Sequence, residues 1–328
     1  MALKLAFVGL KGHWYGVAEE LPALPEVQLV AVADDDPAQL KRVPDFPGGR
    51  PETHTYLDYR ELLEKEQPDI VVEAGVDRDR AEIVLACAER GLNVICEKPL
   101  TKTLPELERV RKAVEKSGVL ASMLITMRCA PNYLAMREAV AVGLIGEITQ
   151  GGAQKSYRLG QRPAWQKSRE TFSGIIPFVG IHVMDLMRWV SGREFVEVMA
   201  YAGNVAHPET GDLEDNACVL AKLDNGASAA IRLDYCRPAA APTHGDDRLR
   251  LAGNRGVIET SDGKVTLITQ DEAPRELPLP EPVAFFADYV EALTNRRAPF
   301  IPFDDCVRIT EVVLRAREAA ETGRPVRT

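Results

Sequence analysis

The sequence predicts a doubly wound parallel α/β domain followed by an α+β domain with a mostly antiparallel sheet. Three observations carry this expectation. Short apolar runs alternate with helical patterns through the first third of the chain. After about residue 123 the alternation gives way to strand patterns joined by tight-turn signals. The 328 residues suit two domains of ~150 residues each. The expected boundaries are 1–123 and 124–328.

Residues 4–9 form the first apolar run and end on glycine, and a helix is expected to follow as far as Leu21. Further runs at 27–33, 70–74, 93–96 and 119–125 complete a parallel sheet buried on both faces. Between them, residues 79–90 place apolar side chains at 83, 84, 87 and 88, one face of a helix that stops at Gly91. Thr103-Leu104-Pro105-Glu106 reads as a capping box with proline in the first turn, and Gly118 closes that helix.

In the second part, residues 131–142 read as a helix. Strands are expected at 147–157, 194–203, 216–223, 227–235, 248–252 and 265–269. Asn225-Gly226 between two of them is a strong hairpin signal. Residues 271–282, rich in proline, read as a connector, and helices follow at 284–296 and 304–322.

Composition narrows the function. Forty basic and 49 acidic residues leave a net charge of −9, which repels phosphate backbones and disfavours nucleic acid as a partner. No apolar run reaches the ~20 residues of a membrane span, and residues 1–10 lack the features of a signal peptide. Six scattered cysteines without a CxxC pair argue against a disulfide or metal framework. A cytoplasmic protein without a metal is expected.

The first strand leads into Gly9-Leu10-Lys11-Gly12-His13-Trp14-Tyr15-Gly16. Glycine at a strand–helix turn lets backbone approach a pyrophosphate. The pattern departs from GxGxxG, with Lys11 and Trp14 at the second and third glycine positions; Gly12 would share the task and Lys11 would bring a charge to phosphate. A plain strand–helix turn fits the loop equally well. Asp34 ends the second strand 18 residues beyond Gly16. A carboxylate there takes ribose hydroxyls and repels a 2′-phosphate, and Asp35 adds to that charge, so NAD is preferred to NADP.

Glu97-Lys98-Pro99 follows the fourth strand, at the sheet edge where α/β ligands bind. An ammonium there would bind a substrate hydroxyl; a solvated loop lysine is the alternative. Gly91 to Leu100, with this Glu-Lys-Pro, resembles the signature of the glucose–fructose oxidoreductase, inositol dehydrogenase and MocA-like (Gfo/Idh/MocA) family, and the resemblance spans essentially the whole chain. It implies an N-terminal Rossmann domain, an open-faced C-terminal sheet, and NAD(P)-dependent oxidoreduction of sugars, polyols and related compounds. It also places Lys98 beside nicotinamide and substrate, with Glu97 in the cofactor loop.

Gly180-Ile181-His182-Val183-Met184-Asp185 is similar to that family's Asp-x-Gly-x-His-x-x-Asp helix start, which puts the family histidine at His182 and the later aspartate at Asp185. The helix is apolar nearly all round, so His182 is expected to be buried. A buried imidazole suits proton transfer from a carbinol, and core packing is the alternative. Two departures stand out. Phe178 occupies the place of a second catalytic aspartate, and Gly75-Val76-Asp77 replaces the family's Thr-Pro-Asn. Arg158, Arg162, Trp165, Asp185 and His244 are candidate substrate contacts, since arginine suits carboxylate and tryptophan a sugar ring.

The expectation is an enzyme moving hydride between NAD and a secondary alcohol or ketone of a sugar, polyol or sugar acid. Lys98 and His182 would be catalytic. Gly9, Lys11, Gly12, Asp34, Asp35, Glu97 and Lys98 would hold the cofactor. A glycosidase or lyase using NAD without net redox is the first alternative, prompted by Phe178, and a non-catalytic NAD and sugar sensor is the second. An exposed sheet face favours a homo-oligomer, and the resemblance implies a homodimer or homotetramer through the C-terminal sheet.

Overall fold

The computed structural model describes residues 2–328. These residues divide into two compact units: residues 2–124 with 284–308, and residues 125–283 with 309–328.

The first unit runs β1 (Leu3–Val8), α1 (Trp14–Glu20), β2 (Val27–Ala33), α2 (Pro37–Leu40), β3 (His54–Tyr56), α3 (Tyr59–Glu66), β4 (Ile70–Glu73), α4 (Asp77–Glu89), β5 (Asn93–Cys96), α5 (Leu104–Ser117) and β6 (Ala121–Met123). The six strands are all parallel, in the order β3-β2-β1-β4-β5-β6. Leu5, Phe7, Val71 and Val72 are fully buried, as strands covered on both faces require. The chain winds outward from β1 through β2 to β3, then returns to β4 on the other side of β1. The strand order thus reverses between β1 and β4, and ligands bind at such a switch point. The capping box on α5 forms: the Thr103 hydroxyl accepts from the Glu106 amide at 3.4 Å, and the Glu106 carboxylate accepts from the Thr103 amide at 3.0 Å. The edge strand β3 is three residues long, too short for a period to show in sequence.

The second unit contains α6 (Pro131–Ala141), β7 (Ile148–Tyr157), α7 (Ile181–Ser191), β8 (Phe195–Gly203), β9 (Asn216–Leu223), β10 (Ser228–Asp234), β11 (Gly245–Gly253), β12 (Gly256–Ser261), β13 (Lys264–Thr269) and β14 (Arg275–Glu276). With the C-terminal β15 (Val326–Arg327) these strands form one sheet in the order β14-β13-β12-β11-β7-β10-β9-β8-β15. Every pairing is antiparallel except β7 with β10. On β9, Ala217, Val219, Ala221 and Leu223 are buried while Cys218, Leu220 and Lys222 face outward. One face of that strand is core and the other is bare. Gly226, at φ +89°, makes the β9–β10 hairpin. Helix α7 lies close on β7: a Cβ at Gly151 would stand 2.5 Å from the Met187 sulfur. Strand β12 was not among the strands expected from the sequence.

Two helices follow, α8 (Phe285–Asn295) and α9 (Phe303–Thr322). The sequence assigns α8 to the second domain, but it packs in the first unit. The amides of Phe286 and Ala287 donate to the Glu20 carboxylate at 3.1 and 2.9 Å. The Tyr289 hydroxyl donates to the Leu120 carbonyl at 2.7 Å, and Ser122 donates to the Ile301 carbonyl at 2.8 Å. Its apolar stripe of Phe285, Phe286, Tyr289 and Val290 is buried there. Partners between 169 and 267 residues distant leave no local signal.

Candidate active site

The loop after β1 is built by glycine and by Asp34. Gly9 adopts φ +80°, and a Cβ on it would lie 2.5 Å from the Gly75 Cα. Only glycine permits that approach of two loop backbones. Asp34 is buried, accepting from the Leu10 amide at 2.7 Å and the Asp36 amide at 2.8 Å. The amides of Lys11 and Gly12 both donate to the Ala74 carbonyl at 2.9 Å, and the His13 amide donates to Glu97. All four amides from Leu10 to His13 are thus bonded within the protein. Lys11 does not stand free for a phosphate either, because its ammonium contacts Asp35 and lies 3.6 Å from Asp34. Those carboxylates hold the Lys11 pKa above its ordinary value although burial opposes it.

Beside this loop lies a pocket of about 450 Å³, lined by Gly9, Lys11, Asp34, Asp35, Tyr59, Arg60, Gly75, Val76 and Arg78 among others. It fits the ribose end of a dinucleotide: a buried carboxylate sits among backbone that carries no Cβ. Asp58, Asp79 and Glu82 also line it, so five carboxylates face three cations.

Lys98 follows β5 and is 2% exposed. The Glu97 carboxylate before it is buried, accepts from the Lys98 amide at 3.0 Å and meets His13 Nδ1 at 2.5 Å. Burial opposes its ionisation, yet His13, Lys98 and Arg80 together hold its pKa far below the usual carboxylate range. Gly12 serves this contact, since a Cβ there would stand 2.6 Å from the Glu97 Cγ.

In the second unit, one π-helical turn, Ile176–Gly180, leads into α7. His182 is buried in the first turn of α7. Asp185 is fully engaged in structure: Arg128 donates to its two oxygens at 2.7 and 2.5 Å, with both side chains buried. This ion pair engages both oxygens of the Asp185 carboxylate, a candidate substrate contact in the sequence. The Phe178 ring lies 5.0 Å from Phe172 and 5.9 Å from Trp165. The Arg162 guanidinium stacks 4.2 Å over Tyr235 and donates to the Arg158 carbonyl at 3.2 Å. Arg158 donates to the Ala241 carbonyl, and the exposed His244 ring sits 5.0 Å from Tyr157. Trp165 therefore joins the aromatic group ahead of His182, and Arg162 joins Arg158, while His244 stands with Tyr157.

Two family descriptions match this architecture: an oxidoreductase family with an NAD-binding Rossmann fold over residues 3–124, and the GFO/IDH/MocA C-terminal domain over residues 133–259. The chain belongs to the Gfo/Idh/MocA oxidoreductase family. It is 28% identical over 276 residues to a myo-inositol 2-dehydrogenase of Thermotoga maritima, covering 82% of this chain and 79% of that one. It is 24% identical over 277 residues to a D-apiose dehydrogenase of Paraburkholderia graminis, covering 81% of this chain and 70% of that one. A solved structure of a candidate oxidoreductase from Thermotoga maritima superposes with a TM-score of 0.93 at 33% identity, over 99% of this chain and 100% of the other.

As a family member the chain is an oxidoreductase with an NAD-binding domain. Among the described residues no helix is long and apolar enough to cross a membrane, and no metal-binding group of His, Cys, Asp or Glu occurs. Sequence reasoning missed several buried polar residues. His13 was read only as part of the loop. Lys155 is buried on β7, pairs with Asp247 at 2.8 Å, and has its pKa lowered by burial. Arg80 is buried on α4 and pairs with Glu73 at 2.7 Å. Its spacing from 83, 84 and 87 already places it on the apolar face of α4.

Proposed function

We propose that this chain is an NAD-dependent dehydrogenase or reductase of a secondary alcohol or ketone on a sugar, polyol or sugar acid. The observation that carries this is Lys98: a buried lysine at the carboxyl edge of the parallel sheet, in a loop joined through Glu97 and His13 to the loop beside the nucleotide pocket. The inositol and apiose dehydrogenases to which the chain is similar support the substrate class.

Gly9 and Gly12 would admit the dinucleotide, Asp34 would bind ribose, and Asp35 with Lys11 would border it. Glu97 would orient the loop. The charge balance of the pocket supports NAD over NADP. NAD, when bound, supplies the hydride acceptor and its reduced form the donor. Lys98 would hold the reacting hydroxyl and offset negative charge growing on its oxygen. His182 would take that hydroxyl's proton and return it in the reverse direction. Phe178 has no proton to trade, so proton handling falls to His182. Arg158, Arg162, Trp165 and His244 would contact the substrate, the arginines through any carboxylate it carries.

Parallel NAD and NADP titrations, then a panel of polyols and sugar acids followed by nicotinamide absorbance, test this. Lys98→Met is expected to abolish turnover while NAD affinity stays within about threefold of wild type. Undiminished turnover removes Lys98 from the mechanism. NAD retained through purification, with turnover but no net reduction, replaces the dehydrogenase by the non-redox reaction.

A further inference from the structure

Arg80 heads the largest fully buried side chains, and each of its donors goes to an acceptor that shapes the site. Its Nε donates to Glu73 Oε2 at 2.7 Å. One terminal nitrogen donates to Asp77 Oδ1 at 3.1 Å and to the Pro99 carbonyl at 2.8 Å. The other donates to the Gly75 carbonyl at 3.3 Å. Glu73 in turn accepts from the Gly75 amide at 2.7 Å and the Glu97 amide at 3.4 Å. One guanidinium thus ties together the end of β4, the loop 75–77 that borders the nucleotide pocket, the start of α4, and the segment carrying Lys98.

We propose that Arg80 is a positioning residue that fixes the Lys98 loop against the loop 75–77. Stability alone would need only the carboxylates. Two carbonyls are bound as well, and they belong to the residue after Lys98 and to a residue of the pocket wall. The role also accounts for Asp77 in this chain, whose carboxylate completes the charge around the guanidinium. A planar fork reaches four acceptors at once and a lysine ammonium cannot. The charge is needed too. Glu73 and Glu97 are buried near one another, and burial with that neighbour pushes the Glu73 pKa up even beside Arg80.

The kinetic part of this inference rests on the dehydrogenase reading of Lys98, and the structural part does not. Arg80→Lys keeps the charge and loses the fork. With the full chain, kcat is expected to fall by about tenfold or more while KM and NAD affinity stay within about threefold. In the ligand-free protein, the amides of Glu97, Lys98 and Leu100 are expected to exchange hydrogen at least about tenfold faster than in wild type. Should Arg80→Lys fail to fold, the neutral triple variant Glu73→Gln, Asp77→Asn, Arg80→Met strands no buried charge and takes its place in both measurements. Exchange within about twofold of wild type overturns the proposal, and so does kcat within about twofold. If wild type turns over no substrate, the dehydrogenase reading fails by itself, and hydrogen exchange alone decides on Arg80.

Discussion

Gly9 shows how much one residue decides. Its positive φ, and a Gly75 Cα that would stand 2.5 Å from any Cβ placed on it, leave no room for a side chain. The left-handed backbone alone costs another residue about 1–2 kcal/mol, and the backbone contact adds to it. Gly9→Ala is therefore expected to lower the melting temperature and weaken NAD binding together, as thermal unfolding and titration will show. Glu97 offers a test by pH. Its folded pKa lies well below the ordinary carboxylate value, so the stability it supplies is present above about pH 4.3 and is lost as pH falls toward the folded value. Urea unfolding should show the stability gap between wild type and Glu97→Gln widest near neutrality and shrinking below about pH 4. A gap that does not vary with pH would mean Glu97 contributes through packing. Both residues were legible as members of the candidate site, because a glycine after a strand and an acid before Lys-Pro are local signals. Their partners, Gly75 and His13, were not, since each lies on another loop.

The elements follow from patterns shorter than one helix or strand. Helix α5 carries its start signal in Thr103 and Glu106 and its stop in Gly118, all within the segment. Thr103→Ala removes the cap oxygen and is expected to cost about 1 kcal/mol, seen in chemical unfolding with kcat unchanged. The long strands of the second unit were equally plain, because Asn225-Gly226 marks a hairpin that needs no distant partner. Short edge strands β3, β14 and β15 were hidden. With two or three residues each they have no period, and only pairing to a neighbour makes them strands. Helix α7 read correctly as buried, yet Asp185 within it looked like a ligand. Its partner Arg128 stands 57 residues earlier in the chain, and no spacing rule connects them.

At the scale of the whole molecule, the nine-stranded sheet leaves a face uncovered. Tyr201 is 66% exposed and Leu220 59%, on adjacent strands β8 and β9. We propose that this face joins copies of the chain into a homodimer or homotetramer, since an exposed apolar patch on a sheet commonly marks an interface. Tyr201→Arg with Leu220→Glu is expected to shift the sedimenting species to the monomer without unfolding it. A wild-type protein that sediments as a monomer at micromolar concentration would end this proposal.

The sequence by itself determined the order of most of the longer elements, the change from parallel to antiparallel sheet, and the positions of Gly9, Asp34, Lys98 and His182 on them. Those depend on local period, turn chemistry and short motifs, which neighbours in the chain carry. Tertiary structure alone decided that α8 belongs with the first unit, that Lys11 lies on Asp35 and Asp34, and which groups the buried Arg80 binds. The physical reason is common to all three. A charge or an apolar stripe takes its meaning from the group it meets, and folding brings that group from a distant part of the chain.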